Sequence, residues 1–480
     1  MNTIRPQPAL STAWPTAARR WAVRRRRNSI SAPRRKASAW STAKSRPLPC
    51  ALNDWADALY ELDRYEEALP LYREAYEGRR EVLGEKDEKT LISANDLAYC
   101  LRNMDRREEA LEYYRITVEG RRETLGATHS STLWSLKAWA GVLQKLDRRE
   151  EALPLLRELY EGYRDTLGEH HENTADAVND LAYCCKALGR KEETERYFRI
   201  TAESFRAVYG EKAPTALWAK SDWADALYAL DRYEEALPLY HEVYEGRREV
   251  LGEKHEKTLI SANDLAYCYK ALRRYEESLP WFTVVVEGRR EILGAKHPST
   301  LWSINGNGDA LYRLQRYEEA LPLYREAFEG RLARNGWDNA QTVTSATNVA
   351  LTLKKLGEYA EALPLYRQLF DTCSSFYGRT NYRTTDALDD LAFVLARVGQ
   401  KEEALEKYRL LAELYGEDPQ QRGNQLYARR NAAISLWNLG CKDEAREDCR
   451  QLLAEHTALY GADHEKTMSM ADLLRRMGGA

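Results

Sequence analysis

The chain has 480 residues, of which 31% are charged and 44% hydrophobic, with a net charge of −3. No apolar run reaches the roughly eighteen residues of a membrane-spanning helix, and no secretory hydrophobic region follows the basic start. No strand pattern is evident, no GxxxxGK[ST] phosphate loop is present, and no GxGxxG follows a strand, which leaves nucleotide enzymes without their usual binding elements.

Residues 1–50 contain ten arginines, two lysines and no acid, so the remainder of the chain carries a net −15. Such a start invites reading as a transit peptide or a nucleic-acid arm. A coding argument explains it better. One permissible coding of LAYCCKALGRKEET (Leu181 to Thr194), read one base later, translates as WPTAARRWAVRRRR, which is Trp14 to Arg27 of this chain. The correspondence continues to about Cys50, and Ala51 resumes the frame beside Ala219. Residues 11–50 are therefore expected to be an out-of-frame translation of one further repeat. They were not shaped to fold, and disorder is expected for them. On this reading the chain descends from a longer protein.

From residue 51 onward the chain is periodic. Gly84, Gly126, Gly168, Gly210, Gly252, Gly294, Gly336 and Gly378 share one spacing of forty-two residues. A fixed period of this length means stacked supersecondary units. In residues 91–126 apolar residues recur at helical spacing in two segments, Leu97, Ala98 and Leu101, then Ala110, Leu111, Tyr114 and Val118. Asp105-Arg106 separates them. Gly126 falls where a left-handed cap is wanted, and Ser131 or Thr132 is the N-cap expected to open the next helix. Each unit thus reads as helix A, tight turn, longer helix B and loop. The fold class is all-α, an α-solenoid of about ten helix-turn-helix repeats over residues 51–466, with residues 467–480 as a capping helix.

The repeats differ in detail. Residues 54–100 and 222–268 match except at Glu61/Ala229, Arg73/His241, Ala75/Val243 and Asp87/His255, so a four-repeat block has been duplicated. Within it, WADALY helices alternate with NDLAY helices. Helix B is expected to end early at Gly416, with a longer loop to Asn424. Proline recurs inside helix B (Pro70, Pro154, Pro238, Pro280, Pro322, Pro364), where a bend or a loosened first turn is expected. Glycine recurs there too (Gly78, Gly120, Gly162, Gly246, Gly288, Gly330), pointing to close helix packing or a bend.

Ala98, Ala110 and Tyr114 resemble the tetratricopeptide signature. The forty-two-residue length, the RYEEALPLY segments and the LGEKHEKTL loop are similar to the repeats of kinesin light chain, a type also found in bacterial and fungal proteins. The resemblance implies a right-handed superhelix with helix A on its inner wall. It also implies a groove that holds extended peptide segments or protein partners, and no catalytic residues.

The chemistry-bearing residues fit that expectation. His129, His171, His255, His297 and His464 share one loop position, one per loop, and read as structural residues, with no metal site expected. Acid pairs such as Glu66-Glu67 suit helix N-termini, and the pairs Arg79-Arg80, Arg121-Arg122, Arg247-Arg248 and Arg289-Arg290 suit C-termini. Cys100, Cys184 and Cys268 share one helix A position and read as reduced packing thiols of a cytoplasmic protein. By position, the resemblance assigns to the groove Asn95, Asn179 and Asn263, and beside them Asp96, Asp180 and Asp264. Tyr99, Tyr183 and Tyr267 follow, then Arg102, Lys186 and Lys270 one turn on. Trp134, Trp218 and Trp302 are expected to line the same groove or its edge, and Asp222 to extend a carboxylate row. The competing reading is that the aromatics pack between repeats and the Asn/Asp pairs bond to their neighbours. The expected function is a non-enzymatic scaffold for proteins or peptides, without cofactor, nucleic acid or membrane. The alternative is a recognition module detached from a larger STAND-type signalling ATPase.

Overall fold

Residues 49–478 are described in the computed structural model; the expectations for residues 1–48 lie outside them, while Pro49 and Cys50, expected to be disordered, are helical. They form 21 α-helices and one short 3-10 turn, with no strand among the described residues. In chain order the helices alternate as the A and B helices of ten repeats. Repeat 1 is Pro49–Tyr60 with Tyr65–Leu83, repeat 2 Glu88–Asn103 with Arg107–Leu125, and repeat 3 Ser130–Lys145 with Arg149–Leu167. Repeat 4 is Glu172–Ala187 with Lys191–Tyr209, repeat 5 Pro214–Ala229 with Tyr233–Leu251, and repeat 6 Glu256–Ala271 with Tyr275–Leu293. Repeat 7 is Pro298–Arg313 with Tyr317–Asn335, repeat 8 Ala340–Leu356 with Tyr359–Tyr377, and repeat 9 Tyr382–Val398 with Lys401–Gly416. Repeat 10 is Arg422–Leu439 with Lys442–Tyr460, and Glu465–Arg476 follows as the cap.

The chain divides into two compact units, residues 1–142 and 143–480. The described part of the first holds repeats 1 and 2 and most of the A helix of repeat 3. The second holds the remaining repeats and the cap. Within each unit the dominant contacts join each helix to the next in sequence. A helix pair cannot bury its apolar stripe alone, so stacking supplies the core. Leu97, Ala98 and Leu101 of one A helix, and Ala110, Tyr114 and Val118 of its B helix, are all fully buried.

The turn between A and B is made at one residue with positive φ, Asp63, Asp105, Asp147 and Asp231 among them. Aspartate tolerates this region better than most side chains. The loop after helix B differs from expectation. Gly126 has φ 96° and ψ 157°, an extended mirror-image conformation open essentially to glycine alone, and not the left-handed helical cap. The caps differ as well. Each of the five loop histidines is the N-cap of the following A helix, its Nδ1 accepting from the backbone N–H two residues on. Asp87, Asn339 and Asn381 do the same where histidine is absent. Ser131 therefore lies inside its helix, and Thr132 instead donates its hydroxyl to the Gly126 carbonyl at 2.9 Å.

Helix B runs through its proline without interruption. Its glycine has a packing cause: a Cβ at Gly120 would stand 2.5 Å from Leu91 Cδ2, and one at Gly288 2.6 Å from Leu259 Cδ2. Helix B of repeat 9 does end at Gly416, but the connection is short. Pro419–Gln421 form a 3-10 turn and the next helix begins at Arg422, so Asn424 is helical. Cys100, Cys184 and Cys268 are buried free thiols, each beside a carbonyl at the start of the preceding B helix (Tyr65, Arg149 and Tyr233).

The capping role of the loop histidines is testable. His255→Ala removes the acceptor for the Lys257 amide and should cost about 1 kcal/mol, read as faster hydrogen exchange over residues 256–262. His255→Asn should retain wild-type protection, because Asn339 and Asn381 already perform this role.

Candidate functional site

The A helices of repeats 2, 4 and 6 present the NDLAY residues, and those of repeats 3, 5 and 7 open with tryptophan. The structure brings these into three similar groups. Tyr99 lies 6.2 Å from Trp134 between ring centroids, Tyr183 stacks on Trp218 at 5.8 Å and 16°, and Tyr267 lies 6.4 Å from Trp302. Each tyrosine also meets an aromatic ring of its own B helix edge-on, respectively Tyr114, Phe198 and Phe282. A cation covers each tyrosine: the Arg102 guanidinium at 4.4 Å, Lys186 Nζ at 5.7 Å and Lys270 Nζ at 5.4 Å. Such contacts contribute about 0.5–1 kcal/mol at exposed sites.

The three groups are not equally open. Trp134 is 45% exposed and Trp302 39%. Trp218 is half-buried because Phe205 packs on it as well. Asp222 is buried, accepts a hydrogen bond from the Tyr183 hydroxyl and lies 4.0 Å from Lys186 Nζ. It is an internal partner of the aromatic group and not a surface carboxylate. Lys270 is likewise paired, with Asp309 at 2.6 Å.

The asparagines face their neighbours. Asn95 Oδ1 accepts from Ser135 Oγ at 3.1 Å, and Asn263 Oδ1 from Ser303 Oγ at 3.2 Å. Asn179 Oδ1 is buried with no hydrogen-bond partner. Asp96 accepts from Asn53 Nδ2 at 3.2 Å, and Asp180 and Asp264 are half-buried. Burial pushes the Asp96 carboxyl up to about 7, with the Asp57 carboxylate beside it acting in the same direction.

Two sets of residues escaped the sequence reading. The first arginine of each helix B pair, and the single Arg331 at the same position, is a clamp and not merely a C-terminal charge. Arg79, Arg121, Arg247 and Arg331 are buried, and with Arg289 each donates from Nη1 to a serine of the next A helix, Ser93, Ser135, Ser261, Ser345 and Ser303 respectively. The same nitrogen also reaches a backbone carbonyl of that helix, for example Ser131 at 3.2 Å and Ser299 at 3.1 Å. The serine always lies fourteen residues after the arginine. Where the B helix has Tyr163, Phe205 or Cys373, that position is Ala177, Ala219 or Ala387. This pairing was present in the sequence as a correlated exchange between repeats. It also explains Asn179: with Ala219 in place of serine, its oxygen loses the donor that Asn95 and Asn263 have. The second set is Asp57, Asp225 and Asp309, each accepting a hydrogen bond at 2.8 Å from a helix B tyrosine, Tyr72, Tyr240 and Tyr324. They occupy the position that holds Tyr99, Tyr183 and Tyr267 in the alternate repeats.

Among the described residues no three His, Cys, Asp or Glu are placed to hold a metal ion, and no helix is long and apolar enough to cross a membrane. A cavity beside Leu259 and Arg289 measures about 90 Å³, well below the roughly 300–1,000 Å³ of small-molecule pockets.

A family model described as tetratricopeptide repeat matches residues 47–123, 92–165, 131–207, 215–291, 265–333 and 341–417, and a second with the same description matches 426–465. The chain belongs to the tetratricopeptide repeat family. No curated protein sequence matches it. Among solved structures, it is similar to a putative kinesin light chain with nearly identical TPR-like repeats from Podosopora anserina. That likeness has 23% identity and a TM-score of 0.39, and covers 43% of this chain and 98% of the other. BtubC (BKLC) from P. vanneervenii is 16% identical over 48% of this chain and 92% of that one, with a TM-score of 0.38. The apo form of RapI is 15% identical over 66% and 99%, with a TM-score of 0.40. Tetratricopeptide arrays generally mediate protein–protein contact.

The raised Asp96 carboxyl gives a pH test. The folded state holds this proton more tightly than the unfolded chain, so Asp96 ionisation lowers stability as pH rises from about 4 to about 7. Asp96→Asn should therefore slow hydrogen exchange around residues 88–103 at pH 8 and change it little at pH 4, after correction for the intrinsic pH dependence of exchange. An effect equal at both values would show that Asp96 is not held protonated.

Proposed function

We propose that this tetratricopeptide array is a non-enzymatic scaffold that binds extended peptide segments, free or within protein partners, across its A helices. The observation that carries the reading is the threefold recurrence of one composite surface: a cation over a tyrosine, beside a tryptophan of the next A helix. Recurrence at the same repeat position suits a ligand that is itself extended. Half-exposed tryptophans supply large contact area at little entropic cost, and such residues dominate interface energetics.

The buried state of Asp222 and the pairing of Asn95 and Asn263 shift the emphasis from carboxylates and amides to the aromatic groups. Trp134 and Trp302, the more exposed of the three tryptophans, are the favoured anchors. Asp180, Asp264 and the remaining acids of these helices would select against acidic partners, and the net negative charge outside residues 1–50 disfavours nucleic acid. A cytoplasmic location belongs to the same proposal.

The test is a pull-down with the full chain, followed by calorimetry on a captured partner. Trp302→Ala and Trp134→Ala should each weaken binding at least about tenfold. Trp218→Ala should act mainly on stability, because that ring is packed against Tyr183 and Phe205. Affinity should fall moderately as salt rises, since exposed charges are screened over roughly 8 Å at physiological ionic strength. Affinity untouched by both Trp134→Ala and Trp302→Ala would place binding on the B helices or the loops.

A further inference from the structure

The A helix of repeat 1 exposes a face that the A helix of repeat 2 buries. Ala51, Trp55 and Ala58 are exposed, Trp55 to 60%, whereas their counterparts in repeat 2, Ser93, Leu97 and Cys100, are fully buried beneath the preceding B helix. The counterpart of Trp55 in repeat 5 shows what this face is made for. Trp223 is half-buried, packs against the group containing Phe205, Ala202 and Ala219, contacts the group containing Phe198, and donates its indole N–H to Glu195 at 3.0 Å. Residues 51–60 and 219–228 share the run from aspartate to tyrosine, DWADALY.

We propose that the Trp55 face is the seat of one further repeat of the repeat 4 type, and that this repeat is encoded under residues 14–50 in another reading frame. Two independent lines meet here. The first is the coding argument, which extends through the whole segment. Codons chosen for Trp14 to Cys50, read one base earlier, give LAYCCKALGRKEETEQYFRTTAESFR, one apolar residue, VYGEK, one small residue and PTAL. Residues 181–217 read LAYCCKALGRKEETERYFRITAESFRAVYGEKAPTAL, so all but four positions agree. The second line is the pairing rule across repeat interfaces. Arginine on helix B goes with serine on the next A helix, and tyrosine, phenylalanine or cysteine goes with alanine. Repeat 1 has Ala51 at the serine position. A partner other than arginine is therefore expected, as at Tyr163, Phe205 and Cys373, and the other frame supplies phenylalanine in the register of Phe205, the residue that packs with Ala219. The same frame supplies the glutamate, phenylalanine and alanine in the registers of Glu195, Phe198 and Ala202. Every side chain named above as facing Trp223 is thus regenerated opposite Trp55. Nothing in the coding argument uses the pairing rule, and nothing in the pairing rule uses codons.

The proposal concerns an interface between repeats and is independent of the proposed function. Its test compares the chain as it stands with one in which the two frame changes are corrected. Hydrogen exchange over residues 49–60 should slow at least tenfold in the corrected chain, and the part of the tryptophan emission lost in Trp55→Phe should become shielded from acrylamide. Within the corrected chain, replacing the restored phenylalanine by arginine should undo that protection, and adding Ala51→Ser should return part of it. Unchanged exchange and quenching at Trp55 after frame correction would overturn the proposal. So would a coding sequence whose other frame fails to give this helix pair. Concentration-dependent protection with a doubled mass in the uncorrected chain would also count against it, showing that the face seats a second copy instead.

Discussion

The interface between consecutive repeats depends on a buried guanidinium. Removing an arginine from water is costly, and the cost is offset only where its hydrogen bonds are met. In this chain Nη1 meets a serine hydroxyl and a helical carbonyl of the next repeat together. Burial lowers the proton affinity of Arg121, Arg289 and Arg331, yet a guanidinium remains charged in this setting. The serine in turn reaches the asparagine of the previous A helix in three interfaces, through Asn53, Asn95 and Asn263. One side chain thereby ties together three helices from two repeats. Apolar stacking supplies the bulk of the stabilisation, and the clamp fixes the register at which it occurs.

The second kind of interface replaces this network by packing. Tyr163 and Phe205 stand where arginine stood, and alanine replaces the serine. An aromatic ring needs no acceptor, so the exchange of both partners avoids stranding a buried donor, as changing one alone would. The exchange is incomplete at repeats 4 and 5, where Asn179 Oδ1 and Ser221 Oγ are left buried without partners. It is there that Trp218 is drawn inward onto Phe205 and Tyr183. The aromatic surface proposed to bind partners and the pattern of interfaces are therefore linked: clamped interfaces leave the outer tryptophan more exposed, and packed ones absorb it.

Much of the fold was legible because repetition averages out local ambiguity. Helix pairs and the early end at Gly416 followed from period and pattern, as did the longer B helix of every repeat but the ninth, and close packing was one of two readings of the helix B glycines. What failed was chemistry that depends on knowing which side chain meets which. Histidine is a weak N-cap by composition, so Ser131 and Thr132 were the expected caps, although His129, His171 and His255 hold the position. Arg121 and Arg122 look alike in sequence, yet one is buried and the other only half-buried. The Asn/Asp pairs read as surface recognition groups because nothing local reveals a serine forty residues away. The correlated exchange of arginine with aromatic and serine with alanine was the available signal, and it required comparing repeats with each other instead of with a family pattern.

A double-mutant cycle on Arg289 and Ser303 addresses the clamp most directly. Repeat arrays need not unfold in one step, so local hydrogen exchange over residues 256–313 is the appropriate readout. Arg289→Met, Ser303→Ala and the double variant would be compared with the parent chain. The clamp predicts a coupling of about 1–3 kcal/mol, with the double variant less destabilised than the two single effects added together. Strict additivity would contradict it, and would leave apolar stacking alone as the determinant of how one repeat seats on the next.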